Sequence, residues 1–291
     1  MNTQTMKTLS SCCLSVLIAL LAACAPSAQN VNKVKIAYPN WAEGIAMTHL
    51  VTQLLEEMDY QVELTLADPG LIYASLAEGT QDLLLDAWLP ITHESYMKQY
   101  GDRLDDLGDT FEGARIGLVV PSYMDIGSIE ELPEYVDAFG GEIIGIGQGA
   151  GIMKRTVEAL KAYGLDKYEL IPSSGPAMTT ALGEAIAKNK GIVVTGWQPH
   201  WKFARWELKF LDDPKGVYGE AEVIKKIVRK GFASDHPEVA TLLSKMKLSG
   251  EQLAGLMDVM RDAESDEQKA AAARKWILDN KALVDGWKAA D

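Results

Sequence analysis

Three tryptophans stand where an extended segment gives way to a turn, outside any periodic apolar run. Trp41 follows Tyr38-Pro39-Asn40, and Trp88 and Trp197 share the pattern Trp-x-Pro in Trp88-Leu89-Pro90 and Trp197-Gln198-Pro199. Taken singly, each is explained as well by core packing as by a site. An indole on the apolar face of a helix, as at Trp276, reads as core, whereas one at a strand-to-loop junction is placed to face a cleft. Three such positions together point to a site. A quaternary ammonium offers no hydrogen bond, but it is attracted to the negative face of an indole by about 1–2 kcal/mol when desolvated. Three faces supply roughly 3–6 kcal/mol, with burial of the methyl groups adding to that. Micromolar binding needs about 8 kcal/mol, so a cage of this kind requires a second anchor.

Two segments offer an anchor for an anionic group on the same ligand. Gln148-Gly149-Ala150-Gly151-Ile152-Met153 is a glycine-rich turn leading from a strand into a helix. The backbone N–H groups of Gly151 and Ile152 would face an anion at that helix N-terminus. A phosphate loop is the rival reading, but no Gly-Lys-Ser/Thr follows and Lys154 is misplaced for one. His93, five residues beyond Trp88, can donate to the same anion, although its spacing alone fits a capping or surface role slightly better.

The elements that position these residues alternate between strand and helix, the pattern of an α/β fold with a largely parallel sheet. Strands are expected at 34–38, 62–66 and 83–85, with a helix over 42–58 and a short one at 74–77. The pattern restarts after the strand 115–121: strands at 143–146, 168–171 and 192–194, and helices at 152–163 and 178–187. From His236 onward the chain reads as helical. The two halves echo each other, since both lead from a helix through an apolar strand into Trp-x-Pro. Trp88 and Trp197 thereby fall at the carboxyl ends of strands in two related lobes, the edge where open α/β sheets bind ligands.

The N-terminus reads as a leader. Lys7 is the sole charge in the first thirty residues, and the apolar run Cys12–Cys24 is shorter than the roughly 20 residues that span a bilayer. Leu21-Ala22-Ala23-Cys24 has the form of a lipobox, which makes Cys24 a lipidated terminus; the alternative is ordinary cleavage near Ala28. Residues 1–23 are then a signal peptide and 24–33 a polar tether. All three cysteines (Cys12, Cys13, Cys24) lie in or at the edge of this leader, so the domain proper is expected to have neither disulfide nor thiolate chemistry. The chain has 28 basic against 41 acidic residues and a net charge of −13. Losing the leader removes Lys7 and no acid. Such a surface disfavours nucleic acid and anionic membranes. With 47 % apolar residues, a folded domain is expected.

Several motifs taken in order resemble the glycine betaine/proline betaine substrate-binding proteins of ABC transporters. They are Tyr38–Trp41, Asp86–His93, Gly149–Met153 and Val194–Trp201, with Gly117–Met124 and Leu211–Gly216 in support. The similarity runs from about Lys33 to Trp287. It implies a two-lobed periplasmic-binding-protein fold of the type II-like Venus-flytrap kind, each lobe a mainly parallel sheet flanked by helices. Lobe I would comprise 34–120 plus about 230–291, and lobe II about 121–229. Carried over by position, Trp41, Trp88 and Trp197 would cage the ammonium, while His93 and the amides of Gly151 and Ile152 would hold a carboxylate. The expected partners are a small zwitterionic onium ligand, a membrane permease with its ATPase, and the membrane through the lipid anchor. Related proteins accept dimethylsulfoniopropionate, carnitine or other betaines, and choline would leave the carboxylate anchor idle. His200 and Trp201 are expected to buttress the Trp197 loop; His49 and His236 have no assigned role. Neither cofactor nor metal is expected. An enzyme is the competing class, but no Gly-x-Ser-x-Gly, His-Glu-x-x-His or nucleotide-binding fingerprint is present.

Overall fold

The structure, a computed structural model, describes residues 32–289. The expected signal peptide, most of the tether and Cys24 lie outside these residues. Nine strands follow in chain order: β1 (Lys33–Tyr38), β2 (Gln61–Leu66), β3 (Leu83–Leu89), β4 (Leu104–Pro121), β5 (Glu142–Ile144), β6 (Glu169–Ile171), β7 (Val193–Gln198), β8 (Leu208–Phe210) and β9 (Glu222–Arg229). They run across the sheet in the order β2-β1-β3-β9-β4-β7-β5-β6, with β8 on β4.

The parallel pairings expected from the strand–helix alternation are present on both sides: β1 with β2 and β3, and β5 with β6 and β7. Their sequences suit this, because strands covered on both faces read as continuous apolar runs, as in Leu83-Leu84-Leu85 and Val193-Val194. The centre of the sheet is antiparallel. β9 lies between β3 and the first half of β4, and the second half of β4 pairs with β7 and β8. The sheet is therefore mixed, with β9 placed between β3 and β4.

β4 is far longer than the strand expected over 115–121, at 18 residues. Its first half, Leu104–Ala114, is acidic and glycine-containing and lacks apolar alternation. Cross-strand charge pairs hold it instead: Lys225 of β9 reaches Asp106 and Asp109, each at 2.8 Å. The ladder shifts register three times between Asp106 and Ala114. Gly108 and Gly113 take positive φ of 95° and 82° there, and a side chain at either would meet nothing within 4 Å. The requirement at these glycines is conformational, and it lets the strand bend from one sheet into the next.

The Ala42–Glu56 helix covers the first sheet with Met47, Leu50, Val51, Leu54 and Leu55, all fully buried. The Asp266–Asp279 and Gly250–Met260 helices pack on its other side, each opened by a capping box, Ser265/Gln268 and Ser249/Gln252. Trp276 is core, stacked on Trp287. Among the described residues no helix is long and apolar enough to cross a membrane.

Candidate functional site

The three tryptophans converge. Trp41, Trp88 and Trp197 are 9, 2 and 3 % exposed and, with Glu43, Thr92, Ile116, Ile146, Ala150, Gly151 and Ile152, enclose one small cavity. Trp41 stands between β1 and the Ala42–Glu56 helix, and Trp88 and Trp197 close the ends of β3 and β7. Both Trp-x-Pro prolines follow a cis peptide bond. The cavity measures about 20 Å³, room for one water. A larger guest therefore needs the walls to part.

Contacts across the cleft keep the walls together. Trp197 Nε1 donates to Glu43 Oε2 at 2.9 Å, and Tyr96 Oη donates to the Gly149 carbonyl at 2.6 Å. Gly151 opens the Gly151–Ala162 helix against the backbone of Thr92, where a Cβ would lie 2.0 Å from the Thr92 oxygen. This approach is possible for glycine alone. The loop bearing Thr92 is fixed from behind by Glu222, which accepts from Ile91 N and Thr92 N at 2.7 and 2.8 Å and from the Thr92 hydroxyl.

The helix at Gly151 has no side-chain cap, since Ala150 is its N-cap. Met153 N turns back to the Ala150 carbonyl at 3.1 Å, whereas the amides of Gly151 and Ile152 precede the first intrahelical acceptor, and both residues line the cavity. His93 is fully buried but is not on that wall. It sits one layer back, with its ring 5.8 Å from Trp41 and edge-on to Tyr73. Burial is at odds with the alternative of a surface role, and although His93 is the N-cap of the Glu94–Tyr100 helix its side chain makes no cap hydrogen bond. Its Nδ1 receives the Trp88 amide at 3.2 Å and lies 3.1 Å from the Tyr73 hydroxyl. A backbone N–H only donates, so Nδ1 is the acceptor and the ring proton is on Nε2. That Nε2–H is buried without a partner. Burial holds His93 at about 3, neutral across physiological pH.

Three ionisable residues of the site escaped the sequence reading. Asp86 Oδ1 accepts from Trp88 Nε1 at 2.9 Å, as Glu43 Oε2 does from Trp197. The remaining oxygens, Glu43 Oε1 and Asp86 Oδ2, are buried and have no partner among the described residues. Lys202 is fully buried, with Nζ 4.1 Å from the Trp197 ring centre and no hydrogen-bond acceptor. Burial pushes Glu43 up to about 7, against the lowering pull of the Trp197 N–H and Lys202. Burial, and then repulsion from Glu43, raise Asp86 well above the carboxylate range. Burial brings Lys202 down to about 7, with Glu43 pulling the other way. The available signal was Asp86 itself, an acid inside a buried apolar strand, which costs too much to be incidental. Glu43 gave no such signal, because an acid in a helix's first turn is ordinary. His200, expected as a buttress, packs edge-on against Trp197 with ring centres 5.0 Å apart and continues to Trp201.

Known proteins share this fold. Residues 32–279 match the OpuAC family, described as the substrate binding domain of ABC-type glycine betaine transport systems. The glycine betaine/carnitine transport binding protein GbuC of Listeria monocytogenes serotype 1/2a (strain 10403S) is 45 % identical over 147 residues. That match covers 50 % of this chain and about half, 48 %, of that relative's length. The crystal structure of lactococcal OpuAC, closed and complexed with glycine betaine, superposes with a TM-score of 0.82 at 39 % identity, covering 89 % of this chain and all of that one (100 %). The glycine betaine/L-proline-binding protein ProX of Borrelia burgdorferi gives 0.83 at 35 % identity, covering 88 % of this chain and 96 % of that one. With a family match that spans nearly the whole described domain and relatives of the same fold well above chance identity, this chain belongs to the OpuAC family of substrate-binding domains.

Proposed function

We propose that the chain is the extracytoplasmic solute-binding component of an ABC importer and that it encloses a carboxylated onium compound, glycine betaine foremost. One observation supports this most: three buried indoles from both sides of the sheet meet the first turn of the Gly151–Ala162 helix around a single cavity. The indoles suit a trimethylammonium group, which no hydrogen-bonding residue can hold. The amides of Gly151 and Ile152 on the wall suit a carboxylate, and the idle Nε2–H of His93, one layer back, would reach it as the cavity widens around the guest. Cage and anion anchor together reach the roughly 8 kcal/mol of a micromolar complex, which the cage alone does not.

The lobes divide where β4 leaves β9 for β7, between Ala114 and Arg115, and again ahead of β9 at Glu222. Lobe I is then 33–114 with 222–289, and lobe II is 115–221. Closure of one on the other accounts for a cavity too small to be entered as it stands. The chain binds and hands over its solute unchanged, to a permease with its ATPase, and Cys24 carries the lipid that tethers it. Replacing Cys24 by Ser is expected to move the protein from the membrane to the soluble fraction; retention at the membrane refutes the tether.

Isothermal titration of the domain with glycine betaine, dimethylsulfoniopropionate, carnitine and choline tests the assignment. Saturable binding of the carboxylated compounds, with choline much weaker, is expected. Equal or tighter binding of choline removes the carboxylate anchor, and no binding to any of them refutes the ligand class.

A further inference from the structure

Two of the cage indoles are held at their N–H ends by carboxyl groups, and those carboxyls are neighbours. Glu43 takes Trp197 and Asp86 takes Trp88, each at 2.9 Å. Asp86 Oδ2 lies directly under the first turn of the helix that bears Glu43: a Cβ on Gly44 would stand 2.7 Å from it. Each carboxyl keeps one oxygen buried and without a partner, and Glu43 lines the cavity itself. Two carboxylates this dry and this close cannot both be charged without a cation beside them.

We propose that Glu43 and Asp86 are the counter-charge of the onium group, positioning residues that orient the cage indoles and release a proton when the cation enters. This rests on the cage reading above.

The proton balance follows from the groups around the pair. Glu43 is faced by Trp197, by Lys202 from the Lys202–Arg205 helix and by Asp86 from β3. Asp86 is faced by Glu43 and Trp88, and it in turn acts on Tyr73 in the Pro69–Ala77 helix. His200 lies beside Lys202 and is held neutral by burial and by that lysine; His93, behind Trp41, is also neutral. The cluster thus contains two acids, both raised by burial, and one base lowered by it, with Glu43 and Lys202 each brought to about 7. With the cleft free of cation, one acid balances Lys202 and the other keeps its proton. A zwitterionic guest brings its ammonium to the Glu43 side, and its own carboxylate goes to the Gly151 side. The ammonium favours the ionised form of the remaining acid, and equally the neutral form of Lys202. By either route an O–H or N–H bond of the cluster breaks and the proton passes to solvent. Trp197 carries the coupling, because its indole N–H is on Glu43 while its ring lies 4.1 Å from Lys202 Nζ.

The test is calorimetric titration of the unaltered domain with glycine betaine at about pH 7 in two buffers of very different ionisation enthalpy. The observed heats are expected to differ by the release of up to about one proton per ligand. Affinity is expected to fall as pH drops below about 7, approaching tenfold per pH unit. Glu43→Gln and Asp86→Asn each retain an oxygen for the indole and remove a titrating group, so proton release should shrink and the pH profile flatten. Lys202→Met removes the internal cation and should move the affinity transition to higher pH, an effect that a merely structural role does not produce. Binding with identical heats in both buffers and a flat profile in the unaltered protein overturns the proposal. Absence of any binding heat overturns instead the cage reading beneath it.

Discussion

Replacing Gly151 by Ala tests whether the two lobes must meet as closely as they do here. The added Cβ would stand 2.0 Å from the Thr92 carbonyl oxygen and 2.6 Å from its methyl, where ordinary contact begins at 3.4 Å. Something must yield by more than an ångström. If the Thr92 loop retreats, it loses hydrogen bonds from Ile91 and Thr92 to the Glu222 carboxylate, each worth about 1.5–3 kcal/mol. If the lobes stop short instead, Trp197 and the first-turn amides no longer reach the ligand together, at a cost of about 2–4 kcal/mol. Either route weakens glycine betaine binding by about 30-fold or more. The fold itself should not suffer, since Gly to Ala at a helix start with ordinary φ stabilises by about 0.4–1 kcal/mol. Titration calorimetry and thermal melting of the ligand-free protein should therefore move in opposite directions. Unchanged affinity would show that the ligand is held without this contact, and a lowered melting temperature would show that the loss is one of folding.

His93→Ala is expected to weaken glycine betaine by about 1.5–3 kcal/mol, the scale of a hydrogen bond to a charged group, and to leave choline nearly unchanged; equal losses for both ligands in titration would remove His93 from the carboxylate. Trp88→Phe keeps an aromatic face but leaves Asp86 without its donor, so affinity should drop about tenfold and melting fall by a few degrees; wild-type affinity would mean that the Asp86 bond does not orient the indole. His93 also sets a stability trend, because burial lowers it to about 3 in the folded chain while the unfolded chain titrates near 6.5. Above about pH 6.5 both states are neutral and nothing is lost; below it the unfolded state alone takes up the proton, and stability falls toward about pH 3. Denaturant unfolding of His93→Gln beside the parent should show their difference shrinking as pH drops through that range, and parallel curves would contradict it.

The parallel parts of the sheet were legible because β3 and β7 open in continuous apolar residues, as strands covered on both faces require, and β1 alternates. The centre was not. Leu104–Ala114 carries its pairing in Asp106, Asp109 and Lys225, and alternation of apolar residues is not a feature of a strand held by cross-strand charge. β9 was hidden for a related reason: Lys226 breaks its apolar pattern, yet is fully buried, with its ammonium on the Asp109 and Met246 carbonyls. Local composition cannot reveal that such a lysine has carbonyls waiting for it from residues 117 and 20 positions away.

At the site the same division appears in a sharper form. The indoles could be found because their positions, at strand-to-turn junctions within two residues of a proline, are unusual for core tryptophans. The groups that aim them could not, because an indole N–H says nothing about which acceptor it meets. Glu43 is 154 residues from Trp197 in the chain, and the bond joins opposite sides of the cleft. That separation gives the bond its consequence. A tryptophan held by a carboxyl on its own lobe, as Trp88 is by Asp86, keeps its orientation whether the cleft is open or shut. On the closure proposed above, Trp197 meets Glu43 only when the two sides come together. In that proposal two of the three indoles, Trp41 and Trp88, stand ready before the ligand enters, and the third completes the cage around it. The ammonium that the closed cage surrounds then lies beside the carboxyl that closes it, so cation binding and lobe closure draw on one interaction.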